Sequence, residues 1–333
     1  MHAQQMKTSE TINVERILVD ARVTLGSGDP VLGLEKKDFK VRVDGKPAIV
    51  ESVEWIPDNA EARALADIDK PLVNVDPKSL AIPEPAGRLL VFFFQTDFAR
   101  EDVRVRGQLK LNGFIDDFVD SLEPEDRVAV FSFDSHLKFR LDFTDRKSFV
   151  KSASHEAIMT DEPPPPQIVP SPSLAKRLDR KAMKDAANPE DALFLIGNAL
   201  RPIPGPKSLV IFGWGIGRLA GDHIHLGKNY AIAVRALEGA RTTAFSIDMT
   251  QADWHSRAAG LAAPAEETGG FYAETFHFPY LAMDRLKKTL SGHYELEVRK
   301  PELKTIGYHE IEVNVVGHRD AYVMARTSYI DKD

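Results

Sequence analysis

The sequence contains no cysteine, which excludes disulfide bonds, thiol nucleophiles and thiolate metal sites together. A chain without cysteine is compatible with an oxidising compartment but does not require one. The first five residues, from Met1 to Gln5, lack the basic and apolar stretches of a signal peptide and resemble what remains after cleavage at a small-residue site. We therefore expect an exported protein, periplasmic or extracellular, whose signal peptide is not part of this sequence.

Long apolar runs and an excess of positive charge are also missing. No apolar run reaches the roughly 18 to 20 residues that a helix needs to cross a bilayer. The net charge is −7, and lysine and arginine are interspersed with acidic residues, whereas phosphate binding needs a concentrated basic surface. We expect neither a membrane span nor a nucleic-acid partner. The 333 residues, 43% of them hydrophobic, suffice for one large domain and a smaller one.

Short segments in which apolar and polar residues alternate mark both ends of the chain and predict strands. They lie at 17–25, 39–43, 48–55, 293–298, 310–316 and 321–329. The three strands at either end are too few to form a stable core alone. We therefore predict that residues 10–56 and 293–331 combine in one small antiparallel β-sandwich, with the rest of the chain inserted between them. Two independent β units are the alternative.

The middle of the chain alternates apolar strand patterns with amphipathic helix patterns. Continuous apolar runs predict buried parallel strands at 89–94, 127–133, 207–212 and 242–247. Helical spacing of apolar residues is found at 111–122, 191–200, 229–240 and 281–290. This order predicts a doubly wound α/β sheet with one antiparallel edge strand at 136–143. We assign residues 57–87 to a linker, 88–292 to the α/β domain, and 155–190 to a proline-rich insertion within it.

Four motifs, in this order, are similar to those of a von Willebrand factor A (vWA)-related family of exported proteins, described mainly from Acidobacteria and other soil bacteria. They are DFKVRVDGK at 38–46, DRVAVFSF at 126–133, GPKSLVI at 205–211 and ETGG at 267–270. The resemblance covers about residues 12–330 and implies a vWA-like, Rossmann-like sheet. It also implies that a partner is bound at the carboxyl edge of that sheet, where vWA domains carry one metal site.

The residues that would form this metal site are largely replaced. In adhesive vWA domains an Asp-x-Ser-x-Ser motif, a threonine and a turn aspartate hold Mg²⁺ or Mn²⁺, and a carboxylate of the partner completes the shell. In this sequence Gln95 stands for the first aspartate, Asp97 and Ala99 stand for the two serines, and Trp214 stands for the turn aspartate. Thr144 matches the threonine. Since tryptophan and alanine offer no ligand to a hard cation, the resemblance implies a degenerate site and no cofactor.

Other constellations point to chemistry only weakly. The glycine motif at 213–217 lacks the spacing of a dinucleotide-binding loop, so turn chemistry is the better interpretation. His223 and His225 could chelate zinc, but without a third ligand we favour a solvated loop. Asp134, Ser135 and His136 contain the residue types of a hydrolytic triad, yet sequence neighbours on a strand point apart.

We therefore predict a non-enzymatic binding or scaffold protein that recognises a protein partner at the carboxyl edge of its α/β sheet. The candidate contacts are Phe98, Arg100, an exposed Trp214 and Arg218, because aromatic and arginine side chains dominate interface energetics. One alternative is adhesion through Mg²⁺ or Mn²⁺ held by Asp97 and Thr144 with help from Asp134 or Asp145. Another is a hydrolase with an unrecognised site.

Overall fold

A computed structural model describes residues 16–58, 85, 87–96, 102–166, 169, 172–221, 223–253, 255–303 and 306–331. The helices and strands, in chain order, are β1 (Arg16–Thr24), β2 (Phe39–Val43), β3 (Lys46–Pro57), β4 (Leu89–Gln95), α1 (Asp102–Asp120), β5 (Arg127–Phe133), β6 (Leu137–Thr144), α2 (Lys147–Glu156), α3 (Arg180–Asp185), α4 (Pro189–Leu200), β7 (Lys207–Gly213), β8 (Arg218–Ala220), β9 (His223–His225), α5 (Lys228–Gly239), β10 (Thr242–Asp248), α6 (Ala258–Thr268), β11 (Tyr272–Glu274), α7 (Pro279–Thr289), β12 (Gly292–Arg299), β13 (Tyr308–Val315), β14 (Tyr322–Ala325) and β15 (Ser328–Ile330). Among the described helices, none is both long and apolar enough to cross a bilayer.

The larger, α/β part of the chain is built on a six-stranded sheet with the order β11-β10-β7-β4-β5-β6. Every neighbouring pair is parallel except β5 and β6. If these six strands are renumbered 1 to 6 in chain order, their order in the sheet, read from the β6 edge, is 3-2-1-4-5-6. This is the strand order of a doubly wound sheet. The predicted fold class, including its antiparallel edge strand, is confirmed. The strand order reverses between β4 and β7, so the carboxyl ends of these two strands lie side by side at the switch point of the sheet.

The apolar residues of β4 are buried on both faces of this sheet. Leu89, Val91 and Phe93 face a core formed with α4, α5 and α6. Leu90, Phe92 and Phe94 face a second core formed with α1, α2 and α7. Because side chains alternate along a strand, an unbroken apolar run requires cover on both sides, and the helices supply it.

The strands from the two ends of the chain form one antiparallel sheet with the order β14-β1-β12-β3-β2-β13-β15. In it, β12 from the C-terminal end pairs with both β1 and β3 from the N-terminal end. The strands make one hydrogen-bonded sheet that curls around a single core, where two packed sheets were expected. The register shift between β12 and β3, at Glu297, is the kind of irregularity that bends a sheet.

The segment 321–329, expected to be one strand, is divided between β14 and β15. The break is fixed by Thr327, whose backbone N–H donates to the carbonyl of Glu267 at the end of α6 over 2.9 Å. Its own carbonyl accepts from the N–H of Ile311. A contact with another element therefore outweighs the local alternation of apolar residues.

The curled sheet contacts the amino edge of the α/β sheet, where β10 begins. Arg241, which directly precedes β10, donates to Asp20 over 2.6 Å and to Glu295 over 2.9 Å. Ser328 donates to Glu238 at the end of α5. These contacts leave the carboxyl edge of the α/β sheet on the opposite side of the molecule.

Candidate functional site

Gln95 ends β4 at the switch point and holds the loop that follows β7. Its Oε1 accepts from the backbone N–H groups of Trp214 and Gly215 over 3.0 and 3.1 Å. Its Nε2 donates to the carbonyl of Gly215 over 2.5 Å. The side chain is only 2% exposed. One neutral amide thus joins the ends of the two central strands.

The glycines of the 213–217 motif permit close packing in this loop. A Cβ atom on Gly215 would lie 2.4 Å from the Cβ of Arg257, and the φ of Gly215 is +151°. A Cβ atom on Gly260 would lie 2.0 Å from the carbonyl oxygen of Ile216. Glycine is therefore required where the loop and the start of α6 touch. The interpretation of the motif as turn chemistry agrees with this role.

The loops at the carboxyl edge are hydrogen-bonded to one another in series. The N–H of Met249, after β10, donates to the carbonyl of Gly213 over 2.8 Å. The hydroxyl of Thr275, after β11, donates to the carbonyl of Asp248 over 2.5 Å. The end of β4 and the loops after β7, β10 and β11 therefore form a connected surface, which we call the carboxyl-edge platform.

A buried carboxylate lies within this platform. Asp248 accepts from His255 Nε2 over 2.5 Å, from the hydroxyl of Tyr272 over 2.6 Å and from the N–H of Thr250 over 2.8 Å. Burial alone would raise the pKa of Asp248, but these hydrogen bonds outweigh burial and hold the pKa below its ordinary value. Burial and the neighbouring carboxylate raise the pKa of Tyr272. Asp248 is therefore an ionised, fully engaged anchor of the loop.

The residues at the expected metal position do not fit a hard cation. The amide oxygen of Gln95 already accepts two backbone hydrogen bonds, and Trp214 offers no oxygen ligand. Among the residues that the structure describes, no group of three or more histidines, aspartates and glutamates is placed to hold a metal ion. Asp97 lies outside the described residues, so its contribution stays a prediction.

Thr144 is not brought to this site, which corrects the expectation from the motif. It pairs with Val128 near the start of β5, whereas Gln95 pairs with Phe133 at the end of β5. At about 3.3 Å per residue, the two positions are roughly 17 Å apart along the strand. The reason is the antiparallel direction of β6, which carries its final residue back to the amino edge.

Of the candidate partner contacts, Phe98 and Arg100 lie outside the described residues. Arg218 is exposed at the start of the small β8–β9 hairpin. Trp214 is half-buried, not fully exposed as expected, because the guanidinium of Arg257 lies over its ring, 5.0 Å from the ring centroid. The packing of Trp214 against Phe98 stays a prediction.

Sequence reasoning missed an exposed apolar patch where the chain enters α7. The side chains of Phe278, Tyr280 and Leu281 are 57%, 53% and 53% exposed, and we call these three residues the aromatic patch. Leu109 on α1 is 56% exposed, and its neighbour Lys110 donates to the carbonyl of Phe276 over 2.5 Å. The sequence feature that could have indicated this patch is the density of aromatic residues in FYAETFHFPYL at 271–281.

Two further constellations differ from the sequence expectation. His223 and His225 lie on β9, in an exposed hairpin where a loop was favoured. Ser135 and His136 lie in a turn, where neighbouring side chains meet: Ser135 Oγ is 3.1 Å from His136 Nδ1, and His136 Nε2 is 2.9 Å from Glu162. The argument that these neighbours point apart was wrong, because it assumed a strand. Ser135 also donates to Asp134 over 3.2 Å.

No family model matches the chain, and no curated protein matches it. Solved structures are similar to it at low identity. One is a von Willebrand factor type A protein from Catenulispora acidiphila, with 10% identity, a TM-score of 0.43, and coverage of 96% of this chain and 76% of that chain. Another is the human COPII-coat protein Sec24c, with 10% identity, a TM-score of 0.40, and coverage of 76% and 44%.

A third similar structure is proximal thread matrix protein 1 from the mussel byssus with a zinc-occupied MIDAS motif. It has 14% identity, a TM-score of 0.40, and coverage of 66% of this chain and 50% of that chain. This chain thus spans half or less of the mussel and Sec24c chains. These similarities concern the fold alone, and membership of the exported vWA-related family stays a prediction.

Proposed function

We propose that this protein is a non-enzymatic binding protein that recognises a protein partner through the carboxyl-edge platform of its α/β sheet. The observation that carries the proposal is the aromatic patch of Phe278, Tyr280 and Leu281, which stands more than half exposed at that edge. Ligands of doubly wound sheets bind at the carboxyl ends of the strands. The patch therefore lies where the fold favours binding.

The energetics of the patch favour burial against a partner. Fully burying one large apolar side chain contributes about 1.5 to 3 kcal/mol, and exposed apolar patches on otherwise polar surfaces mark interaction sites. The rings of Phe278 and Tyr280 are 6.2 Å apart in an edge-to-face arrangement. Two adjacent rings that already pack against each other lose less side-chain freedom on binding than isolated ones would.

The platform beneath the patch supports the same proposal. Its loops are joined by the hydrogen bonds of Gln95, Met249 and Thr275, so that little ordering remains for a partner to impose. We further propose that the protein acts without a metal cofactor and is exported. The buried amide of Gln95 supports the first statement, and the absence of cysteine is compatible with the second.

A matched pair of double variants tests the proposal. Tyr280→Ser with Leu281→Ser removes two members of the patch, and Tyr322→Ser with Ile49→Ser removes two equally exposed side chains from the curled sheet. We expect a protein captured from the envelope fraction of the source organism to bind the control like wild type and the patch variant at least tenfold more weakly. Equal capture by both variants, with unchanged melting temperatures, would contradict the proposal.

A further inference from the structure

Arg257 is a half-buried arginine that has no carboxylate partner among the described residues. Some half-buried arginines are paired, as Arg241 is with Asp20, and others are not within the described ranges, as Arg285 over the ring of Phe271. A protein whose net charge is −7 has carboxylates in excess. What sets Arg257 apart from an arginine such as Arg285 is its location, since its ordered guanidinium lies at the surface that we propose to be a binding surface.

The side chain of Arg257 is held in place by contacts that leave one edge of its guanidinium open. Its face lies over the ring of Trp214 at 5.0 Å, and Nη1 donates to the carbonyl of Gly217 over 3.2 Å. Gly215 supplies the space for its Cβ. Within the described part of the chain, no acceptor bonds to Nε or Nη2. These two donors are parallel, which is the geometry that holds a carboxylate with two hydrogen bonds.

The position of Arg257 places this open edge beside the loop after β7. The residue lies at the start of α6 and contacts the loop after β7, which Gln95 ties to the switch point of the sheet. A guanidinium whose rotamer is already fixed loses little freedom when it binds.

We propose that Arg257 binds an aspartate or glutamate side chain of the protein partner, so that a fixed guanidinium supplies the positive charge for recognition without a metal. This inference rests on the proposed function and names the chemistry that the partner must present. A carboxylate fits better than a phosphate, because only one fork is available and the ionised Asp248 belongs to the neighbouring loop. A dianion would meet more repulsion there than a monoanion.

The test is a titration of the full chain, labelled with ¹⁵N at arginine Nε, with two blocked tripeptides. The peptide acetyl-Ala-Glu-Ala-amide carries the carboxylate, and acetyl-Ala-Gln-Ala-amide is its neutral match. We expect the glutamate peptide to shift the Arg257 Nε–H signal saturably in the millimolar range and the glutamine peptide to leave it unchanged. Equal shifts with both peptides, or no saturable shift, would overturn the proposal.

Substitutions at Arg257 and Trp214 distinguish binding that needs the two parallel donors of arginine from binding that needs only its positive charge. Arg257→Lys keeps the charge but loses the fork, and we expect it to weaken binding of the glutamate peptide at least fivefold. Arg146→Lys is the matched control, because Arg146 also lies over an aromatic ring, that of Phe149, but near the amino edge. Trp214→Leu removes the ring that fixes Arg257 and should weaken binding while Arg257 is retained. Undiminished binding in folded Arg257→Lys, or tighter binding of inorganic phosphate than of the peptide, would refute the assignment.

The outcomes also distinguish this inference from the proposed function. If the patch variant no longer binds the captured partner but Arg257→Lys binds it like wild type, the platform binds a protein and the role proposed for Arg257 is refuted. If the glutamate peptide binds at Arg257 while capture of every protein is unchanged in the patch variant, the carboxylate site is supported and the proposed function is refuted.

Discussion

At the scale of single residues, Gln95 decides what the switch point can do. An aspartate at the end of β4 would carry a charge that needs a cation or several donors. The amide of glutamine instead provides an acceptor and a donor that match the backbone of the neighbouring loop. Glutamine at this position thus makes a direct link between β4 and β7.

We expect Gln95→Ala to lower the free energy of unfolding by about 1 to 3 kcal/mol, because it leaves buried backbone donors of Trp214 and Gly215 without their acceptor. Urea unfolding monitored by circular dichroism would measure the loss. Thr96→Val, which removes a single hydrogen bond from the Thr96 hydroxyl to the carbonyl of Phe133, should cost about 1 kcal/mol or less. A Gln95→Ala variant as stable as wild type would show that the loop is held by other contacts.

Glu238 predicts a dependence of stability on pH. Burial raises its pKa to about 7, although Ser328 donates to it and Arg326 and Arg235 lie nearby, while Glu267 adds a negative charge. Since the pKa in the folded state is raised above the ordinary value, the stabilising contribution is fully present below about pH 4.5 and is lost as the pH rises through about 7.

Glu238→Gln keeps an acceptor for Ser328 and removes the titration. We expect the wild type to lose up to about 3 kcal/mol relative to this variant between pH 5 and pH 8, a figure that corresponds to the change in pKa. Thermal unfolding of both proteins across this range would check it. Parallel pH profiles would mean that Glu238 stays charged in the folded protein.

At the scale of elements, close packing of helices against loops builds the platform. Helix α1 contains two glycines in different surroundings. A Cβ atom on Gly107 would lie 1.7 Å from the carbonyl oxygen of Met249, whereas nothing lies within 4 Å of one on Gly113. The first glycine allows α1 to touch the loop after β10, and the second only lowers the helical propensity of its segment.

Alanine at these two positions should therefore have opposite effects. We expect Gly113→Ala to stabilise the protein by about 0.5 to 1 kcal/mol through helix propensity. Gly107→Ala should destabilise it by about 1 to 3 kcal/mol, because backbone must move away from the new methyl group. Melting temperatures of the two single variants decide the matter, and stabilisation by both would show that α1 does not pack closely on Met249.

At the scale of the whole molecule, the two ends of the chain depend on each other. Strand β12 lies between β1 and β3, so removal of the N-terminal strands exposes both edges of β12 and one face of the core around Tyr294. The pairing of Arg241 with Asp20 would be lost as well.

We accordingly expect a chain of residues 58–333 to aggregate or to unfold at a much lower temperature than the full chain, because unpaired strand edges and open apolar faces associate. Size-exclusion chromatography and calorimetry of both chains would show it. A monomeric 58–333 chain with native-like thermal unfolding would establish that the α/β part is independent of the curled sheet. The domain boundaries proposed from the sequence await that measurement.

The sequence by itself determined the type and order of most elements. The run LLVFFFQ at Leu89–Gln95 could only be a strand covered on both faces, and the alternation at 39–43 predicted a half-buried one, because local periodicity records which side chains must leave water. The antiparallel edge strand and the pairing of the two chain ends also followed from pattern and from the need to complete a core.

Only the tertiary structure decided how the functional edge is assembled. Thr144 belongs to the opposite edge because β6 runs backwards, and Arg257 meets Trp214 across 43 residues of sequence because two glycines allow α6 to touch the loop after β7. The exposure of Phe278 and Tyr280 likewise depends on which elements fail to cover them. Such contacts arise from the relative placement of distant segments, which no local pattern of apolar and polar residues encodes.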